Sequence, residues 1–198
     1  MVVYHTTKAE KPFEIFRIPL ERGEIGVHFG TAAQAAQIGG PITFKVYLSL
    51  QNPLRTLDLF EWTGFRIALE LDRQGLIPAK ERKVVDRIVA LDEAAQTGDE
   101  EEGDYHELMQ KAATLAHALL IRLGYDGIIY RNRYESEDPE DLEFEYGDAG
   151  KDADLFAGGA GDSYLVLHPS QIKSVDNRGT FDPANPSMLA GLLRGGLR

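Results

Sequence analysis

The amino-terminal part of the chain alternates between short apolar runs and turn residues. Val2–Thr6 is a β-branched and aromatic stretch that predicts a strand, and Val27–Gly30 predicts a second one. Thr31 and Gln34 follow with the spacing of a capping box, in which each of the two residues satisfies a backbone N–H of the other. The pattern therefore predicts a strand, a second strand and then a capped helix over Thr31–Ile38.

Periodicity divides the rest of the chain into further strands and a helical block. Alternation with period two favours strands, whereas apolar residues three or four apart favour helices that bury one face. We expect strands at 43–50, 128–130 and 163–168, helical segments near 57–73 and at 79–96 and 105–123, and a further sheet segment at 171–175. The acidic, glycine-rich stretch 132–162 is unusually long for a connection in a compact domain, which is typical of functional or disordered segments.

The composition is that of an ordinary globular protein. With 198 residues, 43% of them hydrophobic, the chain can bury one core, and we find no internal repeat and no boundary that indicates a second domain. We expect one domain over 1–186 and a carboxy-terminal tail over 187–198. There is no cysteine, which excludes disulfides, thiolate zinc sites and cysteine nucleophiles.

The net charge bears on the class of partner. A formal charge of -11 repels phosphate backbones, which weighs against broad nucleic-acid binding and favours a protein or small-molecule target. No run of about 18 apolar residues occurs, and residues 1–16 lack a basic segment followed by a long apolar one. We therefore expect a soluble protein without a membrane partner, located in the cytoplasm or delivered into a host or target cell.

Histidines and carboxylates are the candidate chemical groups. His5 lies near the end of the first predicted strand, and His28 precedes Phe29 and Gly30 in the second. An isolated histidine flanked by apolar residues is roughly twice as often a hydrogen-bonded structural group as a catalyst. The five histidines have no metal-ligand spacing, so we assign no metal. The motifs of dinucleotide-binding, phosphate-binding, zinc-protease and serine-hydrolase folds are also missing from the sequence.

Four segments, in this order, resemble the ADP-ribosyltransferase superfamily. They are Tyr4-His5-Thr6-Thr7, Gly26-Val27-His28-Phe29-Gly30-Thr31, Gly124–Tyr130 and Ser163–Ser174. The stretch 171–186 is similar to the end of the ADP-ribosyltransferase domains of phage polyvalent proteins, and the resemblance spans nearly the whole chain. It implies an α+β fold in which a split, mainly antiparallel sheet with flanking helices surrounds a central NAD cleft.

The first of these motifs implies part of an NAD site. In the diphtheria-toxin and poly-ADP-ribose-polymerase branch, a histidine is followed by glycine, and here His5 is preceded by Tyr4 and followed by Thr6. The resemblance implies that all three residues contribute to NAD binding. His5 would hydrogen-bond a ribose hydroxyl, and the backbone at Thr6 would hold the carboxamide of nicotinamide.

The second motif follows the family pattern of glycine, an aliphatic residue, tyrosine, phenylalanine and a small residue. His28 stands in the place of the tyrosine, followed by Phe29 and Gly30. The resemblance implies that these three residues bind NAD and that the His28 imidazole stacks on nicotinamide during catalysis. Strand alternation also permits an arrangement in which Phe29 packs in the core and His28 lies on the opposite, solvated face.

The third motif places a glutamate at the start of a late strand, where this chain has Ser163. A carboxylate there would stabilise the positive charge that develops as the bond between nicotinamide and ribose breaks. We rank Glu135 first and Asp162 second as the acid that replaces it, although both residues also fit ordinary solvated charges. Ser163 itself and Gln171 complete the predicted NAD-binding set.

The function that the resemblance implies is mono-ADP-ribosyl transfer from NAD to a macromolecular acceptor, with release of nicotinamide. A protein acceptor is favoured over nucleic acid, and the resemblance implies a toxin or effector in phage or bacterial conflict. Two alternatives stay open. One is NAD hydrolysis with water as the acceptor, and the other is a degenerate module that binds NAD or a protein without turnover, which Ser163 favours.

Overall fold

A computed structural model describes residues 1–98, 104–132, 161–177 and 181–189. The helices and strands of these residues are β1 (Val2–Thr7), β2 (Val27–Phe29), α1 (Ala32–Ile38), β3 (Ile42–Leu48), β4 (Leu54–Thr56), α2 (Gly64–Arg73), α3 (Arg82–Thr97), α4 (Tyr105–Arg122), β5 (Gly127–Arg131), β6 (Asp162–Val166) and β7 (Ile172–Ser174). Short 3₁₀ helices occur at Leu20–Arg22, Ala79–Glu81 and Pro169–Gln171. The expected α+β class is confirmed.

The described residues form two compact units that are interleaved in sequence. The sheet unit comprises Met1–Arg17, Val27–Asp58 and Gly127–Arg198, and the helical unit comprises Ile18–Gly26 and Leu59–Asp126. All seven strands and α1 belong to the sheet unit, whereas α2, α3 and α4 belong to the helical unit.

One sheet of the sheet unit has the strand order β1-β3-β7, with antiparallel neighbours. Along β1 and β3 the register places His5 opposite Phe44 and Thr6 opposite Thr43. The β-branched and aromatic residues of both strands suit such a pleated surface, and Val3 and Val46, which are partners in the register, are buried. At the end of β1 this sheet carries His5 and Thr6, which follow the residue that forms the backbone bridge to Gly30.

The other sheet has the order β2-β6-β5-β4. Its β2–β6 and β5–β6 pairs are antiparallel, and its β4–β5 pair is parallel. Parallel neighbours require a long connection, and residues 57–126, which contain the three long helices, supply it. Because β2 and β5 both flank β6, residues from three distant parts of the sequence meet where β6 begins.

The two sheets meet at a bridge between Tyr4 and Gly30 and then diverge. The Tyr4 N–H donates to the Gly30 carbonyl oxygen at 2.9 Å, and the Gly30 N–H donates to the Tyr4 carbonyl oxygen at 3.0 Å. Directly after Gly30 the chain enters α1, whose N-cap Thr31 forms the predicted capping box with Gln34. In this antiparallel register the next facing residues would be Thr6 and His28, but the bridge is isolated, so the pairing ends there and the sheet is split as expected.

The helical unit is held by close packing of α2 and α3 on α4. Apolar residues of α4 three or four positions apart are fully buried, among them Leu108, Ala112 and Leu119. Gly64, at the start of α2, lies against the backbone of Ala112, and a side chain at that position would overlap the Ala112 carbonyl group. Thr63 caps α2 by accepting a hydrogen bond from the Arg66 N–H.

Several element boundaries differ from the sequence prediction. Strand β4 was not predicted, because three residues directly after a turn are too few to show a period. The helix expected near 57–73 begins only at Gly64, where the N-cap Thr63 starts it. Met188, in the stretch expected to be a tail, is buried and bonds through its backbone to Glu14 and Ser174, and the expected domain bounds stay a prediction. No helix of the described part of the chain is long and apolar enough to cross a membrane.

Candidate functional site

The His5 side chain lies at the point where β1 leaves β2. Its Nδ1 lies 2.7 Å from the backbone carbonyl oxygen of His28, so Nδ1 carries the proton and donates it. The ring packs against Phe16 and Phe29, with ring centroids 5.2 and 5.4 Å away. Burial lowers the pKa of His5, which keeps the imidazole neutral near pH 7. A neutral ring with its proton on Nδ1 presents Nε2 as a hydrogen-bond acceptor.

His28 lies on the opposite face of β2 from Phe29. The Phe29 ring is 2% exposed and belongs to the core. This is where one of the two arrangements permitted by strand alternation puts it. His28 is partly buried rather than solvated, and its Nδ1 lies 3.0 Å from the Tyr130 hydroxyl oxygen. Burial, with a smaller contribution from His5, lowers the pKa of His28 to about 4. The imidazole of His28 is therefore neutral at physiological pH.

Thr6 contributes backbone groups to the edge of β1. Residues two apart in a strand direct their N–H and C=O groups to the same edge. The backbone groups of Thr6 therefore face the same edge as those of Tyr4, which bond to Gly30. The Thr6 hydroxyl lies 2.9 Å from the Thr43 hydroxyl, and the residue is 8% exposed. The side chain that replaces the family glycine is thus tied to β3 rather than placed across the edge.

A buried polar cluster lies where β6 begins, and we call Gln34, Asn132 and Ser163 the Ser163 cluster. Asn132 Nδ2 donates to Ser163 Oγ at 3.0 Å, and Ser163 Oγ donates to Gln34 Oε1 at 3.2 Å. The exposed fractions of these residues are 6%, 4% and 2% for Gln34, Asn132 and Ser163. The cluster joins α1, the end of β5 and the start of β6.

Asp162 is held in an ion pair with Arg55 of β4. Both carboxylate oxygens face the guanidinium group, at 2.9 and 3.3 Å, and Asp162 is 8% exposed. Such a two-point pair fixes the carboxylate in one orientation. The second-ranked candidate acid therefore has a structural partner that would compete with any substrate hydroxyl for its oxygens.

The model of a family described as ADP-ribosyltransferase in polyvalent proteins matches residues 1–181. The chain belongs to this ADP-ribosyltransferase family. The match covers all four of the segments that carried the resemblance, and it confirms the family predicted from them. No curated protein and no solved structure matches this ADP-ribosyltransferase domain.

The ADP-ribosyltransferase domain brings most of the predicted site residues together. Tyr4, His5 and Thr6 line the end of β1, Gly30 bridges to it, and Ser163 lies behind Gly30. A Cβ built on Gly30 would lie 3.1 Å from Ser163 Oγ, which shows how closely the two strands approach there. Gly30 of the second motif therefore joins the first motif, at Tyr4, to the third, at Ser163.

Gln171 lies away from this assembly. Gln171 closes a 3₁₀ turn: its Oε1 accepts from the His168 N–H, and its Nε2 donates to the Ser49 carbonyl oxygen. This turn lies beyond the far ends of β6 and β3, at the opposite end of the sheets from Thr6. Glu135, the first-ranked acid, lies outside the described residues.

The site contains residues that sequence reasoning assigned no role in it. Tyr130 orients His28, and Asn132 and Gln34 hold Ser163. Gln34 was visible only as the second half of a capping box, and Asn132 only as the residue after a predicted strand. Among the residues that the structure describes, no group of three or more histidine, cysteine or acidic side chains could hold a metal ion.

Proposed function

We propose that this ADP-ribosyltransferase transfers ADP-ribose from NAD to a protein acceptor and releases nicotinamide. The observation that carries the proposal is the divergence of β1 and β2 after the bridge between Tyr4 and Gly30. A backbone edge, an acceptor nitrogen and a neutral aromatic ring are grouped around that point. These groups match the carboxamide, a ribose hydroxyl and the nicotinamide ring of NAD in chemical character.

The nicotinamide end of NAD would be held by backbone and ring. A carboxamide has one acceptor and two donor hydrogens, which suits the N–H and C=O that Thr6 directs to one edge. The nicotinamide ring of NAD is positively charged, so a protonated imidazole would repel it. A His28 pKa of about 4 keeps that imidazole neutral and suited to stacking.

His5 would bind a ribose hydroxyl. Its Nδ1 proton is committed to the His28 carbonyl oxygen, so Nε2 can only accept a hydrogen bond while the ring is neutral. A ribose hydroxyl can donate one. The same contact to the His28 carbonyl oxygen links the orientation of His5 to the strand that carries the stacking ring, so the two NAD contacts are set together.

The reaction breaks the bond between the anomeric carbon of ribose and the ring nitrogen of nicotinamide. Nicotinamide leaves with the electron pair of that bond and becomes neutral, and a nucleophilic atom of the acceptor bonds to the anomeric carbon and loses its proton to solvent or a base. A carboxylate near the ribose would stabilise the charge that develops. We assign this role to Glu135 in preference to Asp162, because Asp162 is engaged with Arg55.

We propose a protein acceptor and a role as an effector directed at a host or competing cell. The chain carries a net charge of -11, which favours a protein over a nucleic acid at long range. The family, named for its occurrence in polyvalent proteins, fits a domain that is carried together with other activities. The loop that precedes Ser163 would contact the acceptor.

Release of nicotinamide from NAD by the purified protein, with and without host lysate, tests the proposal. Glu135→Gln should lower release at least about 100-fold, whereas Glu137→Gln, a matched change two residues away, should leave it unaltered. Radiolabelled NAD shows whether a protein becomes labelled. Release without labelling would favour NAD hydrolysis, and thermal stabilisation by NAD without release would favour a binding module. If NAD neither stabilises the protein nor yields nicotinamide, the proposal is contradicted.

A further inference from the structure

We propose that the Ser163 cluster is a positioning network for the NAD site, and that Ser163 is an integral part of it rather than the remnant of a lost catalytic carboxylate. This inference rests on the proposed function. Ser163 acts through its neighbours, and it is a positioning residue rather than a catalytic one.

The hydrogen bonds of the cluster have a fixed direction. An amide NH₂ can only donate and an amide oxygen can only accept, so Asn132 donates to Ser163 Oγ, which in turn donates to Gln34 Oε1. Gln34 Oε1 also accepts the Thr31 N–H at 2.7 Å. Because these bonds follow one another, the orientation of each group depends on its neighbours in the cluster.

Backbone groups close the network into a ring. The Gln34 Nε2 donates to the Gly161 carbonyl oxygen at 3.0 Å, and the Asn132 N–H donates to the same oxygen at 3.1 Å. The first turn of α1, the end of β5 and the residue before β6 are therefore tied together. Buried, satisfied polar networks of this kind specify one arrangement, because any unpaired member would be costly.

Ser163 has no hydrogen left to offer a substrate. A serine hydroxyl has one hydrogen and two lone pairs, and the hydrogen is used by Gln34 while Asn132 occupies one lone pair. Its 2% exposure also keeps it from direct contact with a ligand. Because the residue is buried, its remaining lone pair is out of reach of a ribose hydroxyl, and Ser163 cannot take over the direct contact that the family glutamate would make.

The contacts around Ser163 favour a short hydroxyl side chain over a longer acidic one. A Cβ on Gly30 would already overlap Gln34 Oε1, which shows that the volume between Gly30, Gln34 and Ser163 is filled. A carboxylate at residue 163 would have no hydrogen to donate to the Gln34 acceptor oxygen. The serine hydroxyl, which donates to that oxygen, is the group that the cluster requires.

The network controls the NAD site through Gly30. Thr31 and Gln34 fix the start of α1, and Ser163 lies behind Gly30. Gly30 exchanges two backbone hydrogen bonds with Tyr4, and Thr6 presents its backbone to the same edge two residues later. A shift of about 1 Å in a positioned substrate lowers the rate on the order of 100-fold, so small movements of this edge matter.

Steady-state kinetics of nicotinamide release by the full chain test the network. Ser163→Ala and Asn132→Ala should each lower kcat on the order of 10- to 100-fold, with the Kd of NAD changed less than about threefold. The double variant should lose little more than either single one, since both break the same chain of bonds. Ser170→Ala is the matched control, because Ser170 is also a buried, hydrogen-bonded serine but lies in the 3₁₀ turn at the far end of β6.

The Ser163→Glu variant distinguishes a serine that positions the site from one that has replaced a catalytic glutamate. The inference predicts that this variant is no faster than Ser163→Ala, and a rate above that of the wild-type protein would overturn it. An active wild-type protein whose Ser163→Ala variant keeps full kcat, like Ser170→Ala, would overturn the inference and leave the proposed function intact. A wild-type protein that releases no nicotinamide would overturn both.

Discussion

The imidazole Nδ1 of His5 donates a hydrogen bond to the backbone carbonyl oxygen of His28, 2.7 Å away. The contact joins β1 to β2 just beyond the bridge between Tyr4 and Gly30, where the two strands diverge. It therefore does two things at once, since it fixes the tautomer of His5 and sets the distance between the two residues proposed to hold NAD.

We predict that His5→Asn weakens NAD binding about tenfold, the loss expected for one hydrogen bond. The asparagine Nδ2 can replace Nδ1 and keep the bond to His28, but nothing replaces Nε2. Asparagine is preferable to alanine, because the ring also packs against two phenylalanines. Isothermal titration calorimetry measures the affinity, and the exposed His106→Asn provides the control. Equal affinity for wild type and His5→Asn would remove His5 from the site.

The buried His28 makes stability depend on pH. The pKa of His28 is about 4 in the folded protein and near 6.5 in the unfolded chain, so between these values the unfolded state binds more protons. The free energy of unfolding therefore falls as the pH drops from about 6.5 towards 4, and the loss from this residue is on the order of 2 to 3 kcal/mol. Burial lowers the pKa of His5 as well, and this acts in the same direction.

Urea denaturation at pH 7, 6, 5 and 4.5 measures this dependence. The His28→Gln variant should show a flatter curve than the wild-type protein over that range, because glutamine does not titrate. The same substitution at the exposed His106 is the control. A wild-type curve and a His28→Gln curve of equal slope would contradict the prediction.

Arg55→Met is predicted to destabilise the protein by about 2 kcal/mol, because it leaves the carboxylate of Asp162 nearly buried without its cation. The loss is smaller than for a fully buried pair, since the Arg55 side chain is 29% exposed. Asp162→Asn removes the buried negative charge itself, so it should cost less stability than Arg55→Met, about 1 kcal/mol.

The exposed pair of Arg82 and Asp72 serves as the comparison. Its N–O distance of 2.7 Å is at least as short as that between Arg55 and Asp162, but both of its side chains are about half exposed. Arg82→Met should cost less than about 1 kcal/mol. Chemical denaturation measures all three variants, and equal losses for Arg55→Met and Arg82→Met would show that burial of Asp162 has no energetic consequence.

Gly64→Ala is predicted to destabilise the helical unit by about 2 to 3 kcal/mol, since the added methyl group would overlap the Ala112 backbone. Backbone cannot rotate away as a flexible side chain can. The neighbouring Thr63→Ala removes the helix cap and should cost only about 1 kcal/mol. Loss of helical circular dichroism on heating compares the two, and a more stable Gly64→Ala variant would contradict the packing described here.

Local signals predicted the elements better than they predicted the site. The cap at Thr31 and Gln34 was readable because both residues lie in one helical turn. The hydrogen bond between Gln34 and Ser163 could not be predicted, because it depends on how α1 packs on a strand that is distant in sequence. In the same way the sequence offered Asp162 either as a catalytic acid or as a solvated charge, and its partner Arg55 comes within reach only through the pairing of β4 with β5.

The order of the strands also affects how the protein is made. Val27 of β2 pairs with Val166 of β6, so β2 leaves the ribosome long before its main partner. At a synthesis rate of about 5 to 20 residues per second, this interval is on the order of ten seconds. The contacts within the helical unit involve residues up to 126 and can form in the meantime. Because His28 and Ser163 lie on β2 and β6, a nascent chain stays without its site until translation has passed β6.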